Sequence, residues 1–314
     1  AAPESVRAPG DPLEVARQGV VTLERGGKVL GLGTVLNGDG RILTALSPLT
    51  HGNNVDARYA DGTVTQVRIG HSDRAWDLAL LIPKSARWKK GLKASRQPAI
   101  EAGSAVRAFS LVSDKSLALA RTIVKGQSTL LGGDSELLRD ALELGSRFKT
   151  TEFGSPVLDD KGEVVAVVAR ACAPGAGQVC TQVPYGVPVS AVRAFLRNAP
   201  AGAVPPAPWL GIQGATAENG PARGVRVIGV HPQSPAAAAG LKSGSATDAD
   251  LLVAVDGVPV PTPEALAEAV SKRAVGDNVD LLVFGQGRFR HLTLVLRAAP
   301  DSNDRPKKSP PKPQ

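Results

Sequence analysis

The sequence predicts a mainly β chain, an all-β barrel or sandwich followed by a small α+β domain, and three observations carry that prediction. Between Gly19 and about Arg170, short apolar runs alternate with period two. Turn signals interrupt those runs about every 8 to 12 residues, the spacing of short strands joined by hairpins. Beyond a Pro/Ala-rich run the pattern changes, and two helical stretches enter among the strands.

Taken in order, the hairpin signals are Asn37-Gly38-Asp39-Gly40, Asp61-Gly62 and Asp159-Asp160-Lys161-Gly162. Each offers an Asp or Asn side chain to cap the turn and a Gly for positive φ. Ser190 to Asn198 puts Val192, Phe195 and Leu196 on one face of a short helix that closes the β region. The run Ala199 to Pro208 makes neither ladder nor helix and predicts a semi-stiff spacer. After it, one helix starts at Ser234-Pro235 and runs to Ala239. Another starts at Thr262-Pro263, with Thr as N-cap and Pro at the first helical position, and runs to about Arg273. The tail Asp301 to Gln314 is rich in Pro and Lys and predicts disorder.

Of 314 residues, 37 are basic and 29 acidic, giving a net charge of +8 that favours anionic surfaces. The basic residues are scattered, aromatics make up only 4% and no nucleic-acid motif occurs, which argues against specific nucleic-acid binding. No apolar run approaches the roughly 20 residues of a membrane-crossing helix. The chain has no Met and opens Ala1-Ala2-Pro3-Glu4-Ser5, which reads as a mature end left after leader removal and predicts export. Cys172 and Cys180, eight apart across a turn-rich loop, predict a disulfide in an oxidising compartment, with two free thiols as the alternative. The four histidines, His51, His71, His231 and His291, stand singly, without metal-ligand spacing. Gly31-Leu32-Gly33-Thr34 lacks the third Gly and following helix of a dinucleotide loop, so neither metal nor cofactor is expected.

Several motifs resemble one family. Gly40-Arg41-Ile42-Leu43-Thr44, the stretch Gly70 to Leu81 ending Asp77-Leu78-Ala79-Leu80-Leu81, Gly154-Ser155-Pro156-Val157-Leu158 and Tyr185-Gly186-Val187-Pro188 are similar to segments of the HtrA/Deg group of exported trypsin-like serine proteases with a PDZ domain. The resemblance implies a chymotrypsin-like double β-barrel followed by an α+β PDZ domain. It divides the chain into an N-terminal extension (1–18), the barrel domain (19–199), a linker (200–208), the PDZ domain (209–299) and the tail (300–314). It also implies a degenerate triad. Ser47 occupies the histidine position, Phe153 the nucleophile position, and only Asp77 remains. Acyl transfer needs a nucleophile, a base to take its proton and a carboxylate to orient that base, and two of the three are missing. Thr151-Glu152-Phe153 replaces the family's G-N-S turn, so a β-branched residue stands where positive φ is wanted and the turn is expected to have relaxed. Ser155, with His51 in a loop before Gly52 or His71 in a surface turn before Asp73, offers a displaced site. Two extra residues of chain, however, move a side chain by about 6 to 7 Å, against the roughly 3 Å that productive contact demands.

Trp209-Leu210-Gly211-Ile212, the stretch His231 to Leu241 and the stretch Asp250 to Gly257 resemble bacterial PDZ domains. The resemblance implies that backbone N–H groups of Leu210, Gly211 and Ile212 hold a peptide's terminal carboxylate, while Leu210, Ile212, Leu266 and Val270 line a pocket for an apolar last residue. The groove could equally pack against the chain's own β domain or tail. The expected function is a non-catalytic HtrA-like pseudoprotease of the cell envelope that binds protein C-termini or unfolded segments as scaffold, regulator or chaperone-like binder. The alternatives are an active serine endopeptidase with a displaced site and an anionic-surface binder using the basic tail. The resemblance implies trimerisation through an aromatic-bearing N-terminal segment, and residues 1–18 contain no aromatic residue, so a monomer is favoured over a trimer.

Overall fold

The computed structural model describes residues 12–49, 54–85, 88, 90–97, 99–112, 116–173, 180–220, 222–245 and 248–299. The chain divides into two compact units, residues 1–205 and 206–314.

The first unit holds two closed β-barrels. Strands β1 (Val20–Arg25), β2 (Lys28–Val35), β3 (Ile42–Ala45), β4 (Val55–Arg58), β5 (Val64–Asp73) and β6 (Leu78–Pro83) close in the order β1-β2-β3-β6-β5-β4. Strands β7 (Ala105–Leu111), β8 (Leu117–Leu131), β9 (Leu137–Leu144), β10 (Pro156–Leu158), β11 (Val164–Ala173) and β12 (Thr181–Pro188) close in the order β10-β11-β12-β9-β8-β7. The fold class is thus the mainly β double barrel that the sequence predicts. Period two works as expected in β4, where burial alternates residue by residue, with Val55 and Ala57 inward. In β6 all six residues are buried, because both faces of that strand are covered. One set of them, Ala79 and Leu81, fills the first barrel, whereas Leu78, Leu80 and Ile82 pack in the core shared with the second.

The Asp-rich turns work through their carboxylates. Asp39 accepts the Arg41 amide at 2.8 Å, Asp61 that of Thr63 at 2.9 Å, and Asp159 those of Lys161 and Glu163 at 2.9 Å. Helix α2 (Val189–Arg197) buries Val192 and Phe195 and begins one residue earlier than the predicted start. The predicted extension 1–18 is not wholly free of the domain. Helix α1 (Pro12–Arg17) buries Leu13 and Ala16 in the shared core, a three-residue spacing too short to register as periodicity. Cys172 and Cys180 are disulfide-bonded. The bond closes the β11–β12 hairpin where Ala173 faces Thr181, so the free-thiol alternative falls.

The second unit is α+β. Strands β14 (Ile212–Asn219), β15 (Ala222–Val230), β16 (Leu251–Val255), β18 (Asn278–Gly285) and β19 (Arg288–Val295) form a sheet in that order, with β17 (Val258–Pro259) beside β16. Strand β13 (Pro208–Trp209) pairs with β20 (Arg297–Ala298). Helices α3 (Pro235–Ala238) and α4 (Pro263–Ser271) begin as predicted. Ser234 accepts the Ala237 amide, Thr262 accepts that of Ala265, and a Pro follows each cap. Both helices end one or two residues before the predicted stops. The core is apolar and its own: Leu210, Val225, Val227, Leu252, Leu266, Val270, Leu281 and Val283 are among its buried members.

Candidate active site and peptide groove

Where the two barrels meet, the chain brings Ser47 and Asp77 together. Thr44 ends the β3 approach with its hydroxyl donating to the Leu32 carbonyl at 2.6 Å, and Ser47 opens a 3₁₀ turn, Ser47–Leu49. Asp77 sits at φ 56°, a left-handed conformation that Asp tolerates better than most side chains, and this turns its carboxylate inward. That carboxylate accepts the Ser47 amide at 2.7 Å, the Ser47 hydroxyl at 2.9 Å and the Arg170 amide at 3.1 Å. Asp77 is buried, and burial pushes its carboxyl above its ordinary pKa, outweighing the opposing pull of the Arg170 amide and of Ser47. The Arg170 amide is a partner that sequence reasoning missed, since a main-chain donor 93 residues away leaves no side-chain signature.

Phe153 lies at the apex of the opposite turn and is 7% exposed, packed into the core shared by the barrels. Residues Thr150–Glu152 form a 3₁₀ turn. Thr151 is not among the residues of positive φ, and Gly154, at φ 87°, takes that conformation instead. A Cβ on Gly154 would lie 1.9 Å from the Leu32 carbonyl oxygen, so only Gly fits between the barrels there. The amides of residues 152 to 155 all have acceptors within the protein. Glu152 donates to Lys149, Phe153 to Thr150, Gly154 to Val168 and Ser155 to Glu152, while the Phe153 carbonyl accepts the Leu32 amide at 2.8 Å. Those four donors are therefore engaged inside the protein and not held ready for an oxyanion. Glu152, 5% exposed, accepts the Lys149 amide at 2.8 Å and the Leu111 amide at 3.3 Å, stapling the turn to β7.

Of the candidates for a displaced site, Ser155 and His71 are not bonded to each other. Ser155 is fully buried, and its hydroxyl donates to the Phe109 carbonyl and accepts the Phe109 amide, each at 3.0 Å. His51 lies outside the described residues. His71 is not in a turn, as the sequence predicted, but inside β5, where it stacks on Phe195 at 4.7 Å. Among the described residues, no group of three His, Cys, Asp or Glu could hold a metal ion.

In the second unit, β14 is an edge strand, and α4 packs beside β13 and β14. Leu210, Leu266 and Val270 are buried in the core, with Ile212 half-buried at its margin. Gly211, at φ 82°, turns the chain into β14, and a Cβ there would fall 2.1 Å from that of Ser234. The loop is fixed from behind, because the Leu210 carbonyl accepts the Ala236 amide at 3.0 Å and the Gly211 carbonyl accepts that of His231 at 2.8 Å. Among the described residues, the amides of Leu210 and Gly211 have no backbone acceptor.

Residues 31–167 match the trypsin-like peptidase domain family, and residues 208–295 match the PDZ domain family. The putative serine protease HhoB of Synechocystis is 26% identical over 291 residues, an alignment covering 81% of this chain and 62% of that protein. A probable periplasmic serine endoprotease, DegP-like, from Bartonella henselae is 23% identical over 283 residues, covering 87% and 54% respectively. The chain therefore spans between half and two thirds of the length of these relatives. A solved structure, the HtrA-type protease AlgW with a tripeptide, shares the fold at a TM-score of 0.50 and 17% identity, covering 94% of this chain and 98% of that one.

Proposed function

The chain belongs to the HtrA family, trypsin-like peptidase domain and PDZ domain in one polypeptide, and on that premise we propose that it is a non-catalytic member that captures protein C-termini or unfolded segments through its PDZ groove. The observation that carries this reading is the turn at Phe153: a benzyl side chain stands at its apex, and the amides of residues 152 to 155 are all bonded inside the protein. Hydrolysis needs a nucleophile and aimed donors at one place; Phe153 offers no nucleophile, and its own amide is bonded to the Thr150 carbonyl. Across from it, Ser47 satisfies Asp77 by donating its amide and hydroxyl, but a hydroxyl does not take a proton at neutral pH as an imidazole does. Degenerate positions Ser47, Asp77 and Phe153 thus act as structure.

The groove supports the binding half of the proposal. Gly211 takes positive φ beside an edge strand, the amides of Leu210 and Gly211 have no backbone acceptor among the described residues, and Leu266 and Val270 on α4 supply the apolar wall, an arrangement suited to strand addition by a peptide whose last residue is Val, Leu, Ile or Ala. The disulfide and the periplasmic address in the relatives' names support an exported protein of the cell envelope. The relatives' names also favour a second reading, an active serine endopeptidase. Against it stands Ser155, the hydroxyl two residues past Phe153, which is fully buried and doubly bonded to Phe109. The basic tail, residues 300–314, lies outside the described residues.

Panning a random C-terminal peptide library on the immobilised full chain tests the proposal. Enrichment of an apolar last residue that disappears on amidation of the peptide is expected. Enrichment without preference at the last position would remove the groove from the account.

A further inference from the structure

A cavity of about 280 Å³ opens on the second barrel, away from the Asp77 site. Val165, which lines it, lies on the same strand, β11, as Arg170, the residue that donates to Asp77. The two are separated by about 16 Å of strand. Leu142, Val165 and Val189 form an apolar floor, each at most 5% exposed, and half-buried Ile100 extends it. The exposed side chains of Gln127 and Asp140 stand at its rim. Gln127 faces Leu142 across the β8–β9 ladder, which puts both on the same side of the sheet.

Asp140 owes its place to an irregularity. Between the pairs Ser128–Ala141 and Leu130–Leu138, Arg139 and Asp140 of β9 oppose Thr129 alone on β8. Such a bulge redirects a side chain. Asp140 takes φ 59° there, a left-handed conformation that Gly would hold without strain. Among the described residues, two other aspartates have positive φ, and both use their carboxylates. Asp77 accepts from Ser47 and Arg170, while Asp256, at φ 48°, accepts the Asp280 amide at 2.8 Å and pairs with Arg273 at 2.6 Å. The Asp140 carboxylate has no hydrogen-bond or ion-pair partner among the described residues. What it adds to the bulge is a negative charge beside an apolar floor, and no Lys or Arg among the described residues lines the cavity to offset it.

We infer that this cavity is a binding site for an α-ammonium group whose carbon carries an apolar side chain, supplied by the amino end of a polypeptide or by a free apolar amino acid. The position of the charge selects this chemistry. An unpaired carboxylate calls for a cation and the floor for an aliphatic group, and because the carboxylate is at the rim the ligand must carry its cation beside its apolar group. A lysine side chain entering from solvent would bring its ammonium down to Leu142 and Val165, a costly burial away from Asp140. An α-ammonium with a leucine-like side chain meets both demands: the side chain covers the floor, the ammonium pairs with Asp140, and the adjoining carbonyl takes an N–H of the Gln127 carboxamide. The volume falls just below the roughly 300 Å³ at which sites for drug-sized ligands begin, which suits one residue and not a folded segment.

The test is an anisotropy titration of the full chain with the peptide Leu-Gly-Ser-Gly-Lys-amide, labelled with fluorescein on the lysine side chain, so that its one ammonium is the α-amino group and the carboxylate loop beside β14 has nothing to hold. The same peptide acetylated at its amino end is the control and carries the same label. The free peptide is expected to bind at least about tenfold more tightly than the acetylated one. Asp140→Asn, which keeps the shape and tolerance of positive φ, should abolish that difference. Asp140→Gly should abolish it too while unfolding no earlier than the wild type, since Gly takes φ 59° freely. Equal binding of free and acetylated peptide, or a difference that survives in both variants, overturns the inference. Competition identifies the source of the group: displacement of the peptide by leucinamide and not by leucine assigns the site to polypeptide amino ends, and displacement by both assigns it to free amino acids as well.

Discussion

Phe153 is the residue on which the proposed inactivity most depends, because its ring is packed in the core and offers no nucleophile. A ring 7% exposed in the shared core should cost about 3 to 5 kcal/mol when cut to Ala, read from urea unfolding of the first unit. A loss below about 1 kcal/mol, the cost of a small surface change, would mean that the ring is not holding the barrels. Asp77 gives a prediction in pH. Its folded carboxyl binds a proton more tightly than the unfolded one, because burial raises its pKa. The stability it contributes is therefore fullest below the unfolded value of about 3.9 and is lost as pH rises through the raised folded value. Wild-type stability minus that of Asp77→Asn should fall across that interval, and a rise would contradict the burial-dominated site. Ser47 and Phe153 were singled out because flanking motifs set the register in which they are read. The partners of Asp77 and Glu152 were not. The Arg170 and Leu111 amides come from 93 and 41 residues away, and a main-chain donor looks the same whatever residue carries it.

At the scale of elements, the turns declared themselves through Asp carboxylates and glycines, whereas His71 misled. Gly70 imitates a turn signal, yet it lies within β5 because a Cβ there would meet the Ile82 side chain at 2.5 Å, and the ladder bulges between Ile69 and His71. Strand β8 was equally obscure. Its exposed stretches carry Arg121, Lys125 and Gln127, so hydrophobic alternation fades while the ladder continues for fifteen residues. Two elements carry predictions. Reducing the Cys172–Cys180 bond should lower the stability of the first unit by about 2.5 kcal/mol in the chain-entropy estimate for so short a loop, and no change on adding reductant would show the hairpin to be held by its ladder alone. In the groove, Gly211→Ala combines a positive φ with a clash against Ser234 and should weaken capture of an apolar C-terminus at least tenfold. Unchanged affinity would move the carboxylate loop elsewhere.

For the whole molecule, the two units have separate apolar cores, one spread through the barrels and the other enclosed by the PDZ sheet and its helices. Calorimetry should resolve separate transitions, and Leu281→Ala, in the second core, should shift only one of them. A single transition moved as a whole would show the units to be one cooperative body. The family resemblance carried the fold from motif order alone, since turns, caps and apolar runs are local. Inactivity is a different kind of claim, for it depends on what the main chain does around a few replaced residues. Intact-mass spectrometry after exposure of the full chain to a fluorophosphonate tests it directly. The mass is expected to remain that of the unmodified protein, because Phe153 offers no nucleophile and the amides of residues 152 to 155 are bonded inside the protein. A stoichiometric phosphonyl adduct on any serine would contradict the account.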